Sequence, residues 1–299
     1  MQSNLLLIKK FNKLQLGLLM ILSLLFISII FLNPSILTYY FQYYLLLITV
    51  TIIGVPHGFF DYSVAERLFK NNINWVYYFT LGYISLSLLY LVIWVYYPLV
   101  ALIFFLIISI FHFGIEELNH IKYKNMNFYQ ILIIGSMPIA LPILFHSQEV
   151  FYIFNQIIGL NINYADINIY MYYLYFSLLF IALYSNGIKR SWVYSILILN
   201  FVILPPLLSF ILYFCFHHSI RHYIHSIYHD KLVPKKYETK QYLKTIIMTS
   251  ILFAIIVLIS LQAYGQNSFD IIIVKYVFIL LACLTLPHLI LNIYYDMRK

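Results

Sequence analysis

The residues of this sequence that could do chemistry are mainly histidines. The chain has 299 residues, of which 10 are histidines although only 9% are charged, so these imidazoles need an explanation. His218 and His222 are four residues apart, and on a helix this spacing places both rings on one face, about one turn apart. Two imidazoles in that arrangement can bind one metal ion. His225 and His229 continue the same stripe, which is longer than one metal needs.

Two other histidines each precede an acid by four residues, His57 with Asp61 and His112 with Glu116. On a helix, such a carboxylate can accept a hydrogen bond from the imidazole nitrogen that does not bind the metal, and this bond fixes the tautomer and the orientation of the ring. The alternative is that both acids bind the metal themselves. His288 is expected either to form hydrogen bonds in the site or to pack against a substrate.

The other polar residues near these histidines have simpler interpretations. Arg221 is expected to extend to the lipid headgroups, because a charge at the centre of a bilayer costs a few kcal/mol. The adjacent acids Glu116 and Glu117 could equally mark the solvated end of a helix. We assign no role to His120 or His146.

The composition determines which elements must position these residues. Soluble domains have about a quarter of their residues charged, whereas this chain has 9% and a mean hydropathy of +0.88, which excludes a soluble enzyme and a disordered chain. Its two cysteines, Cys215 and Cys283, lie in apolar runs, which excludes a disulfide scaffold. We interpret the net charge of +8 as the basic loops of a membrane protein, with no nucleic-acid partner.

Apolar runs long enough for a helix to cross a bilayer recur along the chain. They do not alternate apolar and polar residues as barrel strands do, so we predict an all-α polytopic membrane helix bundle that forms one domain over residues 1–299. The first run is interpreted as a retained span and not as a cleaved signal peptide. Because two adjacent prolines interrupt residues 192–225, the count is about eight to ten transmembrane helices. The predicted spans are 14–32, 36–54, 75–97, 98–114, 128–146, 167–185, 192–204, 206–225, 243–264 and 271–295.

The basic residues orient these spans. With ten spans, nearly all lysines and arginines fall in alternate connections, and the positive-inside rule then places both termini in the cytoplasm and the chain in the inner cell membrane. This topology brings six histidines to one depth near the cytoplasmic face, namely His57, His112, His218, His222, His217 and His288. Because separate spans converge there, we predict that the first four of these histidines bind one metal ion.

The same residues carry a resemblance to a known family. Four motifs, each built around histidine, occur in one order along most of the chain: Pro56-His57-Gly58 followed by Asp61, His112-Phe113-Gly114, His218-Ser219-x-Arg221-His222, and Pro287-His288. In these motifs the chain resembles the Brp/Blh family of microbial integral-membrane β-carotene 15,15′-dioxygenases, which often occur beside retinal-binding rhodopsins. The iron-binding histidines of that family correspond to His57, His112, His218 and His222.

The resemblance implies an iron-dependent oxygenase. Its cofactor would be Fe²⁺, and its substrates would be O₂ and β-carotene or a related carotenoid, which is cleaved centrally into two molecules of all-trans-retinal. The carotenoid would enter from the membrane lipid along an apolar tunnel, and a retinal-binding rhodopsin would receive the product. Asp61, Glu116 and His288 would support the four ligands without binding the metal. Neutral imidazoles alone do not distinguish Fe²⁺ from other metals, so the choice of iron comes from the resemblance.

Two other functions remain open from the sequence. The first is a membrane desaturase or hydroxylase that acts on lipid chains and uses two metals bound by histidine boxes; two irons per chain would favour it. The second is a retinoid or carotenoid carrier without enzymatic activity, in which the histidines only pack. In that case, replacing His218 would leave cleavage in cells unchanged.

Overall fold

The computed structural model describes residues 2–121, 127–164, 166–185, 191–228, 230, 232, 244, 247–248, 251, 255 and 269–298. Of residues 2–5, 57, 120–121, 185, 191 and 269–271 it describes the backbone only. Within these ranges the chain is helical and contains no strand. The helices are α1 (Gln2–Leu32), α2 (Tyr39–Thr49), α3 (Asp61–Phe69), α4 (Trp75–Tyr96), α5 (Pro98–Ile121), α6 (Phe128–Phe145), α7 (Ser147–Ile158), α8 (Ile169–Ser185), α9 (Ser191–Ile203), α10 (Pro206–Ile211), α11 (Ile220–Tyr228) and α12 (Phe269–Asp296).

Six of the described helical segments are long and apolar enough to cross a membrane, which confirms the predicted all-α polytopic membrane bundle. Two shorter apolar helices, Ile169–Tyr184 and Trp192–Ile203, accompany them. The six segments are Leu6–Leu32, Tyr39–Phe69, Trp75–Tyr96, Pro98–Asn119, Phe128–Phe145 and Ile272–Asp296.

The helices differ from the predicted spans in three places. Helical structure that was expected to end at residue 54 continues to Phe69, and the span expected to end at residue 114 continues to Ile121. Residues 147–166, which separate the predicted spans 128–146 and 167–185, contain α7, which buries Val150, Ile153 and Ile157 on one face. The predicted span 243–264 lies mostly outside the described residues.

One end of the bundle collects the termini of several helices. Phe11 of α1 stacks on Tyr228 of α11, with ring centroids 5.1 Å apart. Near the same end, the Asn119 amide of α5 donates a hydrogen bond to the Asp296 carboxylate of α12 at 3.0 Å. The charge pattern predicts this relative arrangement, because it places these helix ends on one side of the bilayer. That this side faces the cytoplasm stays a prediction.

Two glycines bring α5 and α6 into backbone contact. A Cβ atom on Gly114 would clash with the Ile131 carbonyl oxygen, and one on Gly135 would clash with the Ile110 carbonyl oxygen. Only glycine permits this approach, as in other membrane helix pairs packed through small residues. The contact fixes α5 against α6 beside His112.

Two π-helical segments, in which backbone bonds run from residue i to i+5, lie side by side in the bundle. The first, Val50–Gly54, connects α2 to the 3₁₀ turn Val55–Phe60 that leads into α3, and the second, Leu212–Ser219, connects α10 to α11. They pack so closely that a Cβ on Gly54 would lie 2.7 Å from Cε1 of Phe214. Such π segments occur frequently at functional sites, and the second of these contains two histidines.

Candidate metal centre

Four imidazole rings from three parts of the chain converge in the interior of the bundle. They belong to His112 on α5, His218 in the second π segment, His222 on α11 and His288 on α12. The ring centroids lie 4.8 Å apart for His112 and His218, 5.1 Å for His112 and His288, and 5.6 Å for His222 and His288. All four residues are buried. We call these four residues the histidine cluster.

Two carboxylates hold two of these rings by Nδ1. His288 Nδ1 lies 2.7 Å from Asp61 Oδ1, and the Tyr83 hydroxyl donates to Asp61 Oδ2 at 2.8 Å. His222 Nδ1 lies 3.2 Å from Glu116 Oε2. A neutral imidazole that donates from Nδ1 to a carboxylate carries its lone pair on Nε2, which is the form that binds a metal.

The donors of the histidine cluster fit a divalent metal in ligand type and, for one pair, in spacing. Nε2 of His112 and Nε2 of His218 lie 3.1 Å apart. Two metal–imidazole bonds of roughly 2.0–2.1 Å that meet near a right angle place their nitrogens at about this separation. Imidazole nitrogen is a suitable ligand for Fe²⁺, as it is for Zn²⁺ and Cu²⁺.

The cluster does not form a completed coordination shell. Among the side chains that the structure describes, no three histidine, cysteine or acidic groups are already placed to hold one ion together. Metal binding by these residues stays a prediction.

The side chain of the fourth predicted ligand, His57, lies outside the described residues. Its backbone belongs to the 3₁₀ turn Val55–Phe60, directly before Asp61 at the start of α3. The ring of Phe60 in this turn lies 6.3 Å from the ring of His222, centroid to centroid. The turn that carries His57 therefore borders the histidine cluster.

A second buried polar cluster, which we call the ion-pair network, uses residues adjacent in sequence to those of the histidine cluster. Arg221 Nη1 donates to both oxygens of Glu117, at 2.8 and 2.7 Å. His217 Nε2 lies 3.2 Å from Glu117 Oε2, and the Tyr194 hydroxyl donates to Glu117 Oε1 at 3.0 Å. A carboxylate and a guanidinium thus neutralise each other inside the protein.

This network corrects one expectation and adds residues that sequence reasoning missed. Arg221 was expected to reach the headgroups, but it is only 6% exposed because its guanidinium finds the Glu117 carboxylate inside the bundle. Glu117 is likewise buried and does not mark a solvated helix end. The sequence did contain a signal for this network, because the charged residue Arg221 lies between His218 and His222 and a charge inside the membrane needs a partner.

His112 also lines an apolar cavity. The other polar side chains described in its wall are those of Ser109 and Thr285, and the Thr285 hydroxyl donates to the Leu281 carbonyl at 2.7 Å. The apolar wall comes from six stretches of the chain, represented by Phe105, Pro138, Ile153, Leu207, Phe214 and Phe278. Such a wall can enclose an apolar ligand beside the histidine cluster.

Comparison with known proteins gives two matches. The family model described as beta-carotene 15,15′-dioxygenase matches residues 48–295. A beta-carotene 15,15′-dioxygenase of the uncultured marine bacterium 66A03 is 30% identical over 183 residues, which cover 58% of this chain and 66% of that relative, just under two thirds of its length. No solved structure matches.

Proposed function

Because the chain belongs to the β-carotene 15,15′-dioxygenase family, we propose that it cleaves β-carotene at its central double bond with O₂ to give two molecules of all-trans-retinal. The central carbon–carbon double bond and the oxygen–oxygen bond break, and two aldehyde carbon–oxygen double bonds form. Each half of the carotenoid takes one oxygen atom, so the atoms balance without a further reactant.

One observation supports this proposal more than any other. His112 belongs to the histidine cluster, 3.1 Å from His218 between Nε2 atoms, and it also lines the apolar cavity. A polyene in the cavity would therefore lie against the residues that are predicted to bind the metal. A carrier without enzymatic activity would need the apolar cavity but not the histidines beside it.

We propose Fe²⁺ as the cofactor, with His57, His112, His218 and His222 as ligands. Bound iron would supply the one-electron chemistry that lets O₂ react with a closed-shell polyene. The Glu116 carboxylate would keep the His222 ring in the tautomer that presents Nε2. Buried charge inside the bundle also favours a cation. The Asp61 carboxylate is 3% exposed, and its hydrogen-bond partners among the described side chains include Tyr83 and His288, neither of which carries a fixed positive charge.

The cavity would position the carotenoid and exclude water from it. Its aromatic wall, with Phe105, Phe210 and Phe214, offers ring faces along which a polyene can lie. Cleavage of a hydrocarbon double bond requires no general acid or base, so the few hydroxyls in the wall are consistent with the reaction. Substrate would come laterally from the lipid, and a retinal-binding rhodopsin would be the client for the product.

The test is expression of the chain in a β-carotene-accumulating bacterium. The wild type should bleach the cells and yield retinal, while His112→Ala should leave the colour unchanged. His146→Ala is the matched control, because His146 Nε2 contacts the Val202 carbonyl at 3.1 Å, away from the cluster, and this variant should bleach normally. Persistent colour with membrane-inserted wild-type protein would overturn the proposal, as would bleaching without retinal.

A further inference from the structure

We infer that His288 binds the metal directly, together with His112, His218 and His222, instead of only supporting these ligands. The inference rests on the proposed metal centre and adds a residue to it. From the sequence, His288 was expected only to form hydrogen bonds in the site or to pack against a substrate.

The position of the ring is the first argument. The centroid of His288 lies 5.1 Å from that of His112 and 5.6 Å from that of His222, at interplanar angles of 78° and 68°. The predicted ligands His112 and His218 are separated by nearly the same distance, 4.8 Å. His288 is thus as close to the cluster as a predicted ligand and edge-on to two of its rings.

The tautomer is the second argument. Nδ1 of His288 is held at 2.7 Å by the Asp61 carboxylate, which is itself anchored by the Tyr83 hydroxyl. Nε2 therefore carries the lone pair, and it faces the opposite side of the ring from Asp61. His222 and Glu116 repeat this arrangement, and carboxylate–histidine pairs of this kind are typical of metal ligands.

Asn292 is a competing partner of His288. Its amide nitrogen lies 3.0 Å from Nε2 and 3.4 Å from Nδ1. An atom on the axis of the Nε2 lone pair would be much farther from Nδ1, because the two nitrogens face away from each other across the ring. The amide therefore lies over the ring face and not on the axis of the Nε2 lone pair.

His217 provides a control of the same residue type. It is buried like His288 and directly precedes His218, yet its Nε2 contacts Glu117 at 3.2 Å and Arg221 at 2.7 Å. Its ring belongs to the ion-pair network and should make no contribution to metal binding. Comparing the two histidines separates coordination from general effects of losing a buried imidazole.

The experiment is a titration of the purified, metal-depleted full chain in detergent with Co²⁺, followed by its visible absorption. His288→Gln keeps a donor for Asp61 but loses the imidazole ligand. We expect Co²⁺ affinity to fall at least tenfold and the ligand-field bands to shift, with free imidazole restoring the wild-type spectrum. His217→Gln should bind Co²⁺ with the wild-type spectrum.

A second variant keeps the inference testable if His288→Gln does not fold. Asp61→Asn retains the His288 ring but weakens it as a ligand, and it should lower Co²⁺ affinity roughly 10- to 100-fold. Unchanged affinity and spectrum in either folded variant would overturn the role of His288 alone. A wild-type chain that binds no Co²⁺ would instead overturn the proposed metal centre, so the two failures are distinguishable.

Discussion

The histidine cluster and the ion-pair network both take residues from α5, the second π segment and α11, but they differ in chemistry. Glu116 contacts His222 in the first, whereas its neighbour Glu117 contacts Arg221 in the second. Likewise His218 faces the first and His217 the second. Successive residues of a helix point about 100° apart, so one pair of helices can build two separate polar clusters.

The difference lies in how charge is balanced. In the ion-pair network the Arg221 guanidinium neutralises the Glu117 carboxylate, and the pair is complete within the protein. In the histidine cluster, Asp61 is hydrogen-bonded to a tyrosine and to an imidazole that is uncharged when it acts as a ligand. A buried carboxylate in that setting favours a bound cation. The comparison therefore favours a structural role for the network and supports the proposal that the cluster binds a metal.

The largest effect is expected from His218→Ala. Loss of this imidazole removes one of the two nitrogens that lie at ligand spacing, so retinal formation should fall to background while the protein remains folded. Retinal extracted from β-carotene-producing cells measures the activity, and the amount of protein in the membrane fraction controls for folding. Residual cleavage near the wild-type level would contradict the assignment of the cluster.

Substitutions in the ion-pair network should lower the stability of the fold. Glu117→Gln leaves the Arg221 guanidinium buried without its carboxylate, and the free energy of unfolding should fall by about 3–5 kcal/mol. Combining it with Arg221→Met removes both charges and should restore most of this loss. Unfolding of the purified chain in detergent by a denaturing surfactant measures both. If the single variant were as stable as the wild type, the network would not have the role assigned to it.

A smaller effect is expected from Glu116→Gln, the neighbouring substitution that acts on the cluster. The amide holds the His222 ring less firmly in its metal-binding tautomer, so metal affinity should fall roughly 10- to 100-fold. Stability should change much less than in Glu117→Gln. Equal loss of stability in the two variants, with metal affinity unchanged, would remove the distinction between the two clusters.

Much of this arrangement could be predicted from the sequence. Long apolar runs gave the helices, and the charge pattern placed His112, His218, His222 and His288 at one depth, where the structure brings their rings together. The carboxylate that contacts His222 could not be predicted from the sequence. Glu116 was paired with His112 by helical spacing, yet the structure places it 3.2 Å from His222.

The rest depends on contacts between distant parts of the chain. The pairing of Arg221 with Glu117 joins residues 104 positions apart, and local spacing contains no information about it. Helix α7 was missed because its apolar stripe is short and lies in a connection without basic residues. Its contribution to the cavity, through Val150 and Ile153, requires knowledge of how helices pack.

The most direct test of the central claim is the iron content of the purified chain, produced in iron-supplemented cells and measured by elemental analysis against protein concentration. We predict one iron per chain in the wild type and in His217→Gln, and a large loss of iron in a variant that lacks both His112 and His218. A folded wild-type chain without iron would contradict the account, and two irons per chain would favour a histidine-box desaturase or hydroxylase instead.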